Sequence, residues 1–128
     1  MISATNDAYA AGFVEADGCI YLGTAACCVR VTNRNPKVLD WFMQTYGGVT
    51  RPKVIPAGCY EWVIYGDHAV EFLEFIRPYM KFKESQIDIA LEFHALKGVR
   101  GRKIADDVLA KRAELLQRLK DDKAQWRS

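Results

Sequence analysis

Two stretches of the chain alternate apolar and polar residues with a period of two. In the first, Ile20 and Leu22 alternate with Cys19, Tyr21 and Gly23, and Cys27, Val29 and Val31 alternate with Cys28, Arg30 and Thr32. This pattern predicts a hairpin of two strands, about residues 19–23 and 26–32, with one apolar face. In the second, Val49 to Ile55 and Cys59 to Tyr65 flank the turn residues Pro56-Ala57-Gly58, which predicts another hairpin. Helical spacing fills the remainder. Asn6 or Asp7 is placed to cap a first helix that runs to about Ala16. Along it Ala8, Gly12 and Ala16 recur at every fourth position, beside a bulky stripe of Tyr9 and Phe13. The bulky stripe is expected against the helix's own sheet, and the small one lets a second backbone come close. Asn35 caps a second helix opened by Pro36, with Val38, Leu39, Phe42, Met43 and Tyr46 on its apolar face and Gly47-Gly48 at its end. Gly66-Asp67 opens a third, with Val70, Leu73 and Ile76 inside and Pro78 near its end. Lys81-Phe82-Lys83 leads into a fourth that reaches Lys97-Gly98. Ile104, Val108, Leu115, Leu116 and Leu119 mark a last helix, with Asp106 and Asp107 in its first turn.

The order is therefore α-β-β-α-β-β-α-α-α. It predicts an α+β fold in which a four-stranded antiparallel sheet carries helices on one face and leaves a polar face open. The 128 residues suffice for one core. Residues 1–98 are expected to form a core domain, and residues 99–128 a basic linker and helix packed on that same domain. Half the residues are hydrophobic and about a quarter charged, the balance of a soluble globular protein. No apolar run approaches the roughly 20 residues that span a bilayer, and no apolar signal segment follows Met1. The expectation is a protein that is not secreted. Cys19, Cys27, Cys28 and Cys59 show no C-x-x-C spacing, and His68 and His94 stand far from them, so reduced thiols are expected rather than a zinc site.

The net charge of +2 says little, but its distribution says more. Between Tyr21 and Gly66 there are five basic residues against two acidic ones; between Ile76 and Lys103 there are seven against three. A basic face on a nearly neutral protein is compatible with a nucleic-acid partner.

The candidate chemistry lies in Ala10 to Gly18, A-A-G-F-V-E-A-D-G, where a helix runs into Asp17, then glycine, then a strand. That places a carboxylate at the foot of a helix and the edge of a sheet, where a divalent ion can be held. The segment resembles the signature of the LAGLIDADG homing endonucleases. The match is identical at Ala11, Gly12, Ala16, Asp17 and Gly18 and conservative at Phe13, Val14 and Glu15; it departs at Ala10, where the family usually has leucine. Ile76 to Gln86 resembles the segment that carries an active-site lysine in single-motif members, which points to Lys83, and Thr32 to Lys37 resembles the segment that supplies Asn33 and Lys37 near the cleavage centre. The resemblance covers about Asp7 to Gly98.

The resemblance implies the αββαββα fold with a saddle-shaped sheet and extra C-terminal helices. With one motif per chain it implies a homodimer, its two motif helices packed through Ala8, Gly12 and Ala16. It implies cleavage of double-stranded DNA across the minor groove, with Mg2+ (Mn2+ substituting) held by Asp17 and the carbonyl of Ala16. Lys83 would stabilise transition-state charge, and Asn33 and Lys37 would position water or phosphate. Tyr21, Arg30, Thr32, Arg34, Arg51, Lys53 and Glu61 are the expected DNA-binding residues. The compartment would be the one that holds the target DNA: cytoplasm, nucleoid, organelle or phage host. The turn Gly23-Thr24-Ala25-Ala26 makes the first hairpin short for this family, which implies a short footprint or relaxed specificity and leaves non-homing roles open. A non-cleaving DNA-binding relative, an RNA maturase and a junction nuclease are the alternatives.

Overall fold

In the computed structural model, residues 3–23, 26–54, 56–96 and 103–125 are described. Helix α1, Ala4–Asp17, leads into strands β1, Gly18–Leu22, and β2, Cys27–Asn33. Helix α2, Pro36–Tyr46, connects them to β3, Val49–Pro52, and β4, Tyr60–Tyr65. Helix α3, Gly66–Ile76, a 3-10 turn at Arg77–Tyr79, α4, Glu84–Ala95, and α5, Asp106–Ala124, follow. The strands form one antiparallel sheet in the order β1-β2-β4-β3. The α+β class and the antiparallel sheet match the expectation. Most of the basic linker that was expected at residues 99–103 lies outside the described residues.

The period-two alternation sorts the side chains as read. Ile20, Leu22, Cys27, Val29, Val31, Trp62 and Ile64 are buried on the helix-covered side with Phe42, Phe72, Leu73, Ile76, Ile87 and Phe93. Trp62 is the largest wholly buried side chain, and its indole N–H donates to the Gly47 carbonyl at 2.7 Å. Gly48 has φ +83°, and a Cβ there would lie 2.6 Å from the Val63 carbonyl, so glycine is required for this close approach. The four cysteines are free. Burial pushes the Cys27 thiol up to about 12, which keeps it a neutral core residue.

Three local expectations are corrected. The cap of α1 is Ser3, whose Oγ accepts from the Asn6 amide at 3.2 Å, and neither Asn6 nor Asp7 fills that place. Asp7 is buried instead and accepts a 2.6 Å hydrogen bond from the Tyr46 hydroxyl, tying α1 to α2. The core side of α1 is Asp7, Ala10, Ala11 and Val14 rather than the aromatic stripe. Phe13 is only half-buried, and Tyr9 is 55% exposed with its ring edge-on to Trp41 at 5.2 Å. On α2, Leu39 and Phe42 are buried, while Met43 lies on the surface.

Helix α5 packs on α4 through buried Leu115 and Leu119, and the Arg112 guanidinium lies over the Phe93 ring at 4.8 Å.

Candidate metal centre and nucleic-acid face

Register fixes which side chains share the open face of the sheet. Cys19 pairs with Arg30, Tyr21 with Cys28, Arg30 with Val63, Thr32 with Glu61, and Arg51 with Glu61. Paired residues in antiparallel strands point the same way, so Cys19, Tyr21, Arg30, Thr32, Glu61, Tyr65 and Arg51 line one surface. Expected DNA-binding residues Tyr21, Arg30, Thr32, Arg51 and Glu61 are all on it. Arg34 is exposed in the turn after β2, and Lys53 follows β3, its amide bonded to the Cys59 carbonyl at 2.9 Å.

The charges on this face are partly paired within the subunit. Glu61 is 7% exposed; its Oε1 accepts from Arg51 Nε at 2.7 Å, and Arg30 Nη1 lies 3.8 Å from its Oε2. Arg30 also sits over the Tyr21 ring at 5.2 Å. Burial and a hydrogen bond with the Cys28 thiol push the Tyr21 phenol up to about 12, so it presents a neutral hydroxyl. Two guanidinium groups thus share one carboxylate, and the cluster carries a net single positive charge.

Asp17 stands at the rim of this face. It is the last residue of α1 and is exposed. The next residue, Gly18, starts β1 opposite Val31, so β2 continues past that pair and brings Thr32 and Asn33 alongside Asp17. A Cβ on Gly18 would lie 2.7 Å from the Val14 Cα and 2.8 Å from its carbonyl oxygen. The motif's last glycine is therefore demanded by the strand crossing tightly over the helix that precedes it. Among the described residues, the side chains of Asp17 and Lys83 have neither a salt bridge nor a hydrogen bond.

A carboxylate not expected to act ties the turn that carries Lys83 to α1. Glu15 Oε2 accepts from three successive amides: Lys81 at 2.9 Å, Phe82 at 2.5 Å and Lys83 at 2.9 Å. A carboxylate facing three N–H groups makes strong, charge-assisted bonds. The turn that carries Lys83 is thereby pinned to the last turn of α1, two residues before Asp17. No pattern near Glu15 signals this contact, because its partners are 66 to 68 residues away.

The other expected site residues are placed differently. Asn33 Oδ1 accepts from the Asn35 amide at 2.8 Å, within the turn that opens α2. Lys37 is exposed in the first turn of α2 and borders a groove of about 470 Å³ with Thr5, Asn6, Tyr9, Val38 and Trp41. Tyr9 precedes Asp17 by two helical turns, roughly 12 Å along the axis. The structure thus ties the Lys83 turn to the last turn of α1 through Glu15, keeps Asn33 at the turn into α2, and sets Lys37 beside the other half of α1.

The outward side of α1 carries Ala8, Gly12 and Ala16, all exposed. A Cβ on Gly12 would meet nothing within 4 Å. Among the described residues, glycine there meets no packing need within the chain. No group of three or more His, Cys, Asp or Glu side chains converges on a metal position among the described residues. None of the helices is long and apolar enough to cross a membrane among those residues.

Neither a protein-family model nor a curated protein sequence matches the chain. Solved structures do. An archaeal intron-encoded homing endonuclease, I-Vdi141I, in complex with DNA, superposes with a TM-score of 0.80 at 19% identity, over 92% of this chain and 84% of that one. The homing endonuclease I-CvuI, in complex with its target, gives 0.77 at 21% identity, over 93% of this chain and 82% of that one. I-LtrWI, a LAGLIDADG homing endonuclease bound to target DNA, gives 0.67 at 13% identity; there 88% of this chain covers only 43% of the neighbour. Identities near one in five show shared architecture, and the chain has the fold of the LAGLIDADG homing endonucleases.

Proposed function

We propose that the protein is a magnesium-dependent DNA endonuclease that works as a homodimer. It lays its open sheet in the major groove of duplex DNA and hydrolyses phosphodiester bonds across the minor groove. One observation carries this reading: α1 exposes a stripe of small residues that its own subunit does not use, and the same helix ends in an exposed, unpaired Asp17. Packing two such helices about a two-fold axis brings two copies of Asp17 to the centre of one continuous surface. The coverage of I-LtrWI supports the stoichiometry, since one copy of this chain spans less than half of that neighbour.

The residues present fit a hard divalent ion. Magnesium takes few protein carboxylates and keeps several waters, so one Asp17 per subunit is a sufficient charged ligand. The Ala16 carbonyl lies in the last turn of α1, where carbonyls lack intrahelical donors, and it can serve as the second. When bound, such an ion supplies Lewis acidity that activates water and offsets charge on the leaving oxygen. The chain's own groups do the rest. Lys83, pinned by Glu15, faces the charge that develops on the phosphate. Asn33 orients water from the adjacent strand end through its free amide group. Lys37, beside the other half of α1, is assigned a backbone-phosphate contact. Tyr21, Arg30, Thr32, Arg34, Arg51 and Lys53 hold the duplex, and Glu61 orients Arg30 and Arg51.

The hairpin of β1 and β2 closes early, with the Gly23 amide donating to the Ala26 carbonyl at 2.8 Å. A short hairpin reaches few base edges, so relaxed sequence demand, including branched DNA, belongs to the same reading.

The test is cleavage of a plasmid library and of branched duplexes with magnesium or manganese. The parent is expected to cut, and Asp17→Asn to fall to background while still binding DNA in calcium. A parent that binds tightly but nicks no strand would replace the nuclease with a non-cleaving DNA-binding protein.

A further inference from the structure

The end of α5 reaches the open face from outside the sheet. Lys123 Nζ lies 3.4 Å from Cys19 Sγ. Cys19 is on β1, an edge strand, and faces the same way as its register partner Arg30. It is two residues from Asp17, at most about 7 Å along the chain. The ammonium of Lys123 is thus brought round the edge of the sheet to the rim where Asp17 stands. Its position is tied down by the preceding residue: Asp122 accepts from Ser85 Oγ at 2.5 Å and from Gln86 Nε2 at 3.4 Å. Ser85 and Gln86 are in the first turn of α4, immediately after Lys83. Asp122 therefore joins the end of α5 to the segment that Glu15 joins to α1.

A lysine in the last turn of a helix ordinarily needs no explanation, since it complements the helix dipole. Lys123 is different because its ammonium extends across the fold to a thiol that is a weak, neutral acceptor. Its charge is not cancelled there. Arg30 and Arg51 share the carboxylate of Glu61, whereas Lys123 makes no salt bridge among the described residues.

We propose that Lys123 binds a backbone phosphate of the duplex on the rim where Asp17 stands, so that the C-terminal helix is part of the DNA-binding site. The inference rests on the DNA-binding reading above and extends it to a helix otherwise explained by packing alone. A phosphate oxygen is a far better partner for an ammonium than a thiol, so contact needs only a small rotation of the lysine stem.

Salt dependence of duplex binding, measured in calcium, tests this. Each phosphate contact adds about 0.9 to the slope of log affinity against log salt. Lys123→Met should lower the slope by about one for each copy bound, whereas Lys123→Arg should keep it. On the unaltered protein, an amine-reactive reagent with mass-spectrometric readout should label Lys123 several-fold less once duplex is added. This second measurement stands even if the methionine variant folds poorly. Equal slopes for the parent and Lys123→Met, or unchanged labelling in saturating duplex, overturn the proposal while leaving the DNA-binding reading intact. A parent that binds no duplex at any salt removes both.

Discussion

The two sides of α1 are built to different requirements. On the inner side every residue is explained by its own subunit. Ala10, Ala11 and Val14 are wholly buried, Asp7 receives the Tyr46 hydroxyl, and Gly18 is glycine because a Cβ there would lie 2.7 Å from the Val14 Cα. On the outer side no packing contact among the described residues explains the small side chains. Ala8, Gly12 and Ala16 are exposed, and the space at Gly12 is open. A helix interior pays for glycine with roughly 0.5–1 kcal/mol relative to alanine, so a glycine without a local purpose points to a contact beyond the subunit. Within one nine-residue motif, then, one glycine serves the fold and the other is the one that the proposed dimer would use.

Gly12→Leu should separate the two roles most sharply. The side chain has room within the subunit but none between closely packed helices, at a cost of about 1–3 kcal/mol per subunit. Light scattering should show a dimer for the parent and a monomer for the variant, and cleavage should be lost with the dimer. At protein concentrations low enough to dissociate the parent, the variant should melt no lower than the parent, because apparent stability then excludes assembly and leucine is the better helix former. A dimeric, active Gly12→Leu protein would break the comparison.

Gly18→Ala is the converse. Its Cβ meets backbone atoms, so the helix or strand must shift, at roughly 1–3 kcal/mol. The urea midpoint should fall at every protein concentration. An unchanged midpoint would mean that the strand crossing is looser than the structure has it.

The smallest loss of the three is expected at Glu15→Gln. The amide oxygen still accepts, but the charge-assisted part of three hydrogen bonds is lost, at about 1–2 kcal/mol. Because those bonds hold the Lys83 turn, kcat should drop more than duplex affinity. An equal loss in both would assign Glu15 to general stability only.

The sheet, its open face and the motif were legible in the sequence because each is a local signal. Period-two alternation needs only neighbours, and so do the Asn35 cap and the Gly47-Gly48 stop. The residues that were misread or missed have partners far along the chain. Asp7 reads as a helix cap until Tyr46, 39 residues on, is seen to bond it. Tyr9 and Phe13 read as a core stripe, whereas small Ala10 and Ala11 let α1 sit close to the layer beneath, so burial follows packing distance rather than side-chain size. Glu15, Asp122 and Lys123 carry no pattern of their own, since what defines them is the turn or strand they reach. Lys37 looked equivalent to Asn33 by position, yet α2 turns away from β2 and carries it toward Tyr9.

The central claim is that two copies of Asp17 share one site. Heterodimers with one parent subunit and one Asp17→Asn subunit, isolated through two different affinity tags, test it on a supercoiled substrate with magnesium. The account predicts that linear product disappears and that nicking, if any remains, is confined to one strand. Heterodimers that linearise the substrate as fast as the parent would contradict it.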